Sequence, residues 1–199
     1  MANELHDFEK SYREGWKPWD SGVPSAELLR VLDAGLLPGR SVLELGCGTG
    51  TNTVELARRG YTVTAIDFVA QALQTAREMA RTAGVAVEFR VADVTDTKFE
   101  LGGPFDVLFD RGVYHHIRRV DLGAFLHTVE KASRRGTRWL SLAGNAKEQH
   151  DPGPPTVSEP QLRAELEPLF EVLELREFRF GTDTEAFRPL AWSILMQRK

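Results

Sequence analysis

The segment SVLELGCGTG, residues 41–50, decides the fold of this 199-residue chain. Its first half, SVLEL, is a short apolar run of the kind that forms a buried strand. Glycines follow at positions 46, 48 and 50. Glycine adopts positive φ and lets another group come close to the backbone, so this spacing predicts a ligand placed against main chain at the end of a strand.

Outward from this segment, apolar runs alternate with helical patterns. Further strands are predicted at 61–67, 85–93, 105–110 and 137–144, and helices at 52–59, 69–84, 121–135 and 158–170. Two last strands, 170–180 and 189–199, follow without a helix between them. The pattern predicts an α/β fold with a seven-stranded, mostly parallel sheet, an antiparallel hairpin at one edge and helices on both faces.

Length and composition predict one domain over residues 1–199, with an aromatic-rich cap at 1–24 and a core at 40–199. The net charge of −4 and the scattered arginines argue against nucleic-acid binding. The sequence has neither the pattern of a secretory leader nor an apolar run of membrane-spanning length, so a cytoplasmic protein is expected. The only cysteine, Cys47, excludes an internal disulfide and a cysteine-based zinc cluster, and no metal site is predicted.

The kind of ligand follows from what accompanies the glycines. Asp67 ends the second strand, about 20 residues beyond the first glycine, where an acid accepts hydrogen bonds from ribose hydroxyls. A dinucleotide fingerprint would need glycine where Thr51 stands, and a phosphate-binding loop would need a lysine that the segment between Lys17 and Lys98 does not contain. A nucleoside without phosphates fits S-adenosylmethionine, while the alternative is a glycine turn that is only structural.

These residues resemble the class I S-adenosylmethionine-dependent methyltransferases, whose first motif is similar to ELGCGTG (44–50). Three further segments resemble the thiopurine, thiol/halide and tellurite methyltransferase group. They are FEKSYREGWKPWDSG (8–22), FDVLFDRG (105–112) and HDPGPPTVSEPQL (150–162). The chain departs from that group at Phe8 and Tyr12, where many relatives carry tryptophan, and at Arg135-Gly136-Thr137, which replaces Pro-Gly-Gly. The resemblance spans nearly the whole chain and implies a single-domain, Rossmann-like methyltransferase fold.

The resemblance also implies roles in binding S-adenosylmethionine, which leaves as S-adenosylhomocysteine. Asp67 would accept from the ribose hydroxyls and Asp93 from the adenine amino group, with Phe68 and Val94 on either side of the adenine. Aromatic faces of the cap attract the sulfonium cation by about 0.5 to 2 kcal/mol each. The remaining cofactor residues would be Phe8, Tyr12, Trp19, Gly46, Cys47, Gly48, Gly50 and Asp110.

The acceptor side is expected around the end of the fourth strand. Arg111 is the candidate for stabilising a thiolate, with a structural salt bridge to an acid of the cap as its alternative. His115 and His116 could each act as a general base or line the pocket, and His115 is the preferred candidate for the base. The residues expected to line the acceptor pocket are Trp16, Tyr114, His116 and Pro155.

Three functions stay open from the sequence. The first is methyl transfer to a thiol or another soft nucleophile, in the manner of thiopurine, thiol, halide or tellurite acceptors. The second is O-methylation of a small natural product, quinone or phenol, with a histidine as base. The third is a non-catalytic module that binds the cofactor. In each case the partner is a small molecule rather than a nucleic acid or a membrane, and the assembly is a monomer or homodimer.

Overall fold

The computed structural model describes residues 2–150, 153–181 and 188–199, with backbone alone for residues 2–7. The helices are α1 (Ala2–Glu14), α2 (Ala26–Asp33), α3 (Thr51–Arg58), α4 (Ala70–Ala83), α5 (Val113–Ala132) and α6 (Glu159–Leu166). The strands are β1 (Ser41–Leu45), β2 (Thr62–Asp67), β3 (Val87–Val91), β4 (Val107–Arg111), β5 (Arg138–Asn145), β6 (Thr156–Val157), β7 (Phe170–Arg179) and β8 (Leu190–Arg198).

The strands form one sheet in the order β3-β2-β1-β4-β5-β8-β7. The first five run parallel, while β8 is antiparallel to both β5 and β7. The predicted α/β fold with an antiparallel edge hairpin is therefore confirmed. The strand order reverses between β1 and β4, and ligands of such sheets bind beyond the carboxyl ends of the strands at this reversal.

Both faces of the sheet are covered by apolar packing. Along β4, Leu108 belongs to one buried cluster, whereas its neighbours Val107 and Phe109 belong to another. Successive side chains of a strand point to opposite faces, so each cluster fills one side of the sheet. The apolar strands are thus explained by burial on two faces rather than one.

Helix α5 differs most from the sequence prediction, which placed its start at residue 121. It begins at Val113 and is kinked at Asp121, whose φ of −153° and ψ of 84° are not helical. The Asp121 side chain accepts a hydrogen bond from the Ala124 N–H at 2.9 Å, so it caps the second helical segment. The sequence predicted that second segment and missed the first. The two-residue strand β6, which pairs with β5, was also not predicted.

Candidate active site

The glycine loop joins β1 to α3 at the reversal of strand order. Gly46, Gly48 and Gly50 have φ values of 64°, 56° and 84°, which side chains rarely adopt. A Cβ on Gly48 would lie 2.8 Å from the Tyr12 hydroxyl, and one on Gly46 would lie 2.3 Å from a Val113 methyl group. The loop backbone is therefore in close contact with the cap on one side and with the start of α5 on the other.

Asp67 lies beside this loop at the end of β2. Its Oδ2 accepts from the Gly48 N–H at 2.8 Å, and its Oδ1 accepts from the Val69 N–H at 2.9 Å. Each carboxylate oxygen can accept a second hydrogen bond, so the geometry leaves capacity for two hydroxyl donors. Burial raises the pKa of Asp67, and the backbone N–H groups of Val69, Gly48 and Phe68 oppose that rise.

The predicted adenine-binding residues follow the next strand ends. Asp93 accepts through one oxygen, Oδ1, from both the N–H and the hydroxyl of Thr95, at 2.8 and 2.7 Å. Those bonds fix the turn and involve only one of the two oxygens. Val94 is buried and Phe68 is partly exposed. The two apolar side chains therefore follow the acids that end β2 and β3, as the sequence predicts.

The aromatic cap packs directly on this site. Phe8 lies edge-on to Phe68 at 6.2 Å between ring centroids and edge-on to Trp19 at 5.3 Å. Tyr12 is buried in the same cluster. The cap is also fixed to the glycine loop by a 2.8 Å hydrogen bond from the Thr49 hydroxyl to the Asp20 carboxylate.

Arg111 joins two chain segments instead of meeting a carboxylate. Its guanidinium donates to the backbone carbonyl of Trp19 and to that of Gly181, both at 2.7 Å. It also lies 5.0 Å from the centroid of the Phe180 ring. Burial lowers the pKa of Arg111, while the charge of Asp20 opposes this. Arg111 thus joins the cap to the segment after β7 through two carbonyls, and no salt bridge between it and an acid of the cap is present among the described residues.

His115 is placed differently from the general base that the sequence suggested. It is 3% exposed, and its Nδ1 accepts from the Gly144 N–H at 2.6 Å. The neutral ring then carries its proton on Nε2, which makes it a donor and not a proton acceptor. Burial lowers the pKa of His115 well below its usual value, with further contributions from His116 and Arg111. The assignment of His115 as general base is corrected by this geometry.

His116 differs from His115 in the environment of its Nδ1. Its Nδ1 is buried and has no hydrogen-bond partner among the described residues. The ring lies edge-on to Phe8 of the cap, with centroids 4.9 Å apart. Burial lowers the pKa of His116 to about 4, and the charge of Arg119 adds to this. At neutral pH the ring is therefore uncharged.

Two further expectations are corrected by burial. Asp110 is fully buried, and its oxygens accept from the Tyr114 N–H and the Trp139 indole, each at 3.0 Å. This carboxylate caps α5, and each of its oxygens is hydrogen-bonded within the fold. Tyr114 is also fully buried, and its hydroxyl donates to Glu165 at 2.6 Å, so it does not line the acceptor pocket.

Three other predicted site residues differ in how far they are buried. Trp16 is 60% exposed and lies edge-on to Trp19, so it is on the protein surface. Pro155 is partly buried, and its carbonyl lies 2.2 Å from where a Cβ on Gly144 would be. Cys47 is buried within the loop, and burial raises the pKa of its thiol. The thiol is therefore protonated and unreactive at neutral pH.

Comparison with known proteins shows which class of enzyme this chain is similar to. A family model described as a methyltransferase domain matches residues 42–136, which include the glycine loop and Asp67. The chain is 29% identical to the 2-heptyl-1-hydroxyquinolin-4(1H)-one methyltransferase of Mycobacteroides abscessus, covering 94% of this chain and 87% of that one. The protein is an S-adenosylmethionine-dependent methyltransferase.

Other relatives of this methyltransferase act, by name, on different atoms. A ubiquinone biosynthesis O-methyltransferase of Xylella fastidiosa is 32% identical over 58% of this chain, which spans 49% of that relative's length. The probable thiol methyltransferase 2 of Arabidopsis thaliana is 26% identical over 87% of this chain and 77% of its own.

A solved structure supports the fold of the methyltransferase over nearly its whole length. It comes from work on the "conversion of a disulfide bond into a thioacetal group during echinomycin biosynthesis". It superposes with a TM-score of 0.84 and 26% identity, covering 98% of this chain and 91% of that one. The class I methyltransferase fold is thus established, whereas the thiopurine-like subgroup is not singled out by these relatives.

One buried residue of the methyltransferase site was missed by the sequence prediction. Glu44, in the middle of β1, is 2% exposed and accepts a hydrogen bond from the Thr53 hydroxyl of α3. Burial raises its pKa to about 8, and the charges of Asp67 and Asp110 add to the rise. An acid inside an apolar strand directly before a glycine loop is a visible signal for such a site.

Across the described parts of the methyltransferase, no helix is both long enough and apolar enough to span a bilayer.

Proposed function

We propose that the protein methylates the oxygen of a small phenol or heteroaromatic compound whose hydroxyl is acidic. The observation that carries this proposal is the buried Nδ1 of His116, which has no hydrogen-bond partner among the described residues. A buried polar atom without a partner is costly, so such an atom beneath an aromatic cap favours a ligand that completes its hydrogen bonding.

The chain's own residues fit the cofactor. The glycine loop offers backbone without side chains, and Asp67 has acceptor capacity for the ribose hydroxyls. The apolar side chains Phe68 and Val94 suit an adenine ring, and Asp93 suits its amino group. When bound, S-adenosylmethionine supplies a methyl group on a positively charged sulfur, which is an activated leaving group.

His116 would take the proton of the acceptor hydroxyl. As the bond from oxygen to the methyl carbon forms and the bond from sulfur to that carbon breaks, the hydroxyl proton passes to Nδ1 and then to solvent. An imidazole with a pKa of about 4 is a weak base. Such a base accepts a proton more readily from an acidic hydroxyl than from an aliphatic alcohol, so an acidic hydroxyl is the acceptor class that suits it.

The relatives supply support of a weaker kind. The hydroxyquinolone methyltransferase, which this chain matches over 94% of its length, is named for a substrate with a hydroxyl on a heteroaromatic ring. Arg111 donates to the Trp19 and Gly181 carbonyls, an arrangement that gives the thiolate role no specific support. Cytoplasmic location and a monomeric or dimeric state stay predictions.

A thiol acceptor is the second candidate. It is favoured by the match to the probable thiol methyltransferase 2 over 87% of the chain. It also agrees with the resemblance of segments 8–22, 105–112 and 150–162 to thiol- and thiopurine-methylating enzymes.

The test compares His116→Ala with His127→Ala, because His127 is an exposed histidine on the same helix. Turnover is measured with 1-hydroxyquinolin-4(1H)-one, 4-nitrophenol and thiophenol at saturating cofactor. At a pH below the pKa of each hydroxyl acceptor, where its proton is still in place, we expect His116→Ala to lower turnover of both by about 100-fold or more. Cofactor affinity should be unchanged, and His127→Ala should behave as the wild type.

Full activity of His116→Ala on both hydroxyl acceptors would overturn the role of this residue. Turnover of the thiol alone by the wild-type protein would instead establish the second candidate.

A further inference from the structure

A polar groove lies along α5, the helix that carries His115 and His116. It has a volume of about 360 Å³ and lies between the first segment of α5 and the loop that leads into β6. Its walls include Arg118, Arg119, Gln149, His150, Pro155 and Thr156.

The two arginines of the groove differ in how their charges are balanced. Arg118 donates from Nε to Glu165 at 2.9 Å and pairs with the same carboxylate through Nη2, and its side chain is 12% exposed. Its charge is therefore compensated. Arg119 is exposed, and among residues 2–150, 153–181 and 188–199 no carboxylate is paired with its guanidinium.

Two residues of the groove wall, Arg119 and Pro155, relate it to the proposed methyl-acceptor site. Arg119 follows His116 by three residues on the same helical segment, which places the two side chains on one face. On the opposite wall, the Pro155 carbonyl packs against Gly144, whose N–H binds His115. A molecule held with a hydroxyl at His116 therefore has Arg119, a residue of the groove wall, on the same face of the helix.

We propose that this groove binds a negatively charged group of the methyl acceptor, with the Arg119 guanidinium as its ionic partner. The inference rests on the proposed function, because it takes the acceptor hydroxyl to lie at His116. A guanidinium binds a carboxylate or a similar planar anion through charge-assisted hydrogen bonds. The local positive charge stands out on a chain whose net charge is −4.

The experiment uses two ligands that differ in one charge, 4-hydroxy-3-nitrophenylacetate and its methyl ester. Both have an acidic phenol, and only the first has a carboxylate. Dissociation constants are measured by titration calorimetry with the enzyme saturated with S-adenosylhomocysteine, so binding is read without turnover. The variants are Arg119→Gln, Arg119→Lys and Arg135→Gln, the last being an exposed arginine just before β5, at the opposite end of the sheet.

We expect Arg119→Gln to weaken binding of the carboxylate by about five- to tenfold, as befits a charge-assisted bond at an exposed position. Binding of the ester should change less than twofold. Arg119→Lys should keep most of the affinity for the carboxylate, and Arg135→Gln should keep all of it.

Equal changes for the two ligands, or none for the carboxylate, would overturn the role of Arg119. So would failure of the carboxylate to bind the wild-type protein. Binding of the carboxylate that depends on Arg119 supports the groove as an anion-binding site, even if the enzyme does not methylate this ligand when S-adenosylmethionine is supplied. That combination of results would contradict only the proposed function.

Discussion

Asp67 has a structural role to which we propose to add the binding of the cofactor ribose. Each of its oxygens holds one backbone N–H, from Gly48 and from Val69, and each can accept one bond more. We expect Asp67→Ala to weaken S-adenosylhomocysteine binding at least tenfold, since each charge-assisted bond contributes about 1.5 to 3 kcal/mol. Titration calorimetry measures this, with far-UV circular dichroism to verify folding.

Asp96→Ala is the matched control for Asp67, because Asp96 also accepts a backbone N–H, that of Lys98, but is exposed on the surface. An unchanged dissociation constant in Asp67→Ala would remove the ribose assignment.

Glu44 predicts a pH dependence of stability. Its pKa is raised to about 8 in the folded protein, above the ordinary value for glutamate. The native state therefore holds this proton more tightly than the unfolded chain, so its contribution to stability is full at pH 4 and is lost as the pH rises through 8. Glu44→Gln stays neutral throughout and keeps an acceptor for Thr53.

We expect the free energy of unfolding of wild type, relative to Glu44→Gln, to fall by about 2 kcal/mol or more between pH 5 and pH 9, because each unit of pKa corresponds to about 1.36 kcal/mol. Urea unfolding at several pH values measures the difference. Glu171→Gln, an exposed glutamate on β7, should show no such trend. A difference that does not vary with pH would mean that Glu44 is ionised in the folded protein.

At the scale of elements, the cap and the hairpin edge meet through Arg111. Its two carbonyl acceptors lie in different segments, at Trp19 before α2 and at Gly181 after β7. Loss of this side chain should weaken the attachment of the cap, and this effect should not depend on which methyl acceptor is used. We therefore expect Arg111→Ala to weaken cofactor binding and to lower turnover of a thiol, a phenol and iodide by similar factors.

Arg90→Ala is a close control for Arg111, because Arg90 also donates to two carbonyls, those of Glu100 and Leu101, at the β3 edge. It should leave cofactor affinity unchanged. A loss in Arg111→Ala confined to the thiol, with iodide unaffected, would restore the thiolate role.

Helix α5 shows where sequence patterns stop being sufficient. The run VYHHIRRV, residues 113–120, is poor in strong helix formers, so propensity gives it no clear signal. Its helical form depends on tertiary features, namely the turn at Gly112 with φ of 86° and the bond from the Tyr114 N–H to Asp110. The strand-end acids and glycines were predictable because their spacing is local. The choice between His115 and His116 was not, because it depends on the Gly144 N–H of a distant strand.

At the scale of the whole molecule, the cap packs on the carboxyl end of the sheet beside the glycine loop. The strand order and the position of the site follow from the βα alternation, which the sequence displays directly. The packing of the cap does not, because it involves residues from positions 8–20 against residues beyond position 45. Thr49 with Asp20, and Gly48 with Tyr12, are contacts of this kind.

Binding of S-adenosylhomocysteine should therefore stabilise the complete chain more than a chain without its cap. A ligand at 100 times its dissociation constant stabilises the native state by about 2.7 kcal/mol, which for a protein of this size raises the Tm by about 5 to 10 °C.

Deletion of residues 1–20 removes Phe8, Tyr12 and Trp19 but none of the strands. At the same ligand concentration we expect the truncated protein to unfold cooperatively with a rise of less than half that of the full chain. Differential scanning calorimetry with adenosine as a control ligand measures both. An equal rise in the two proteins would show that the cap only packs on the sheet, and no rise in the full chain would contradict cofactor binding itself.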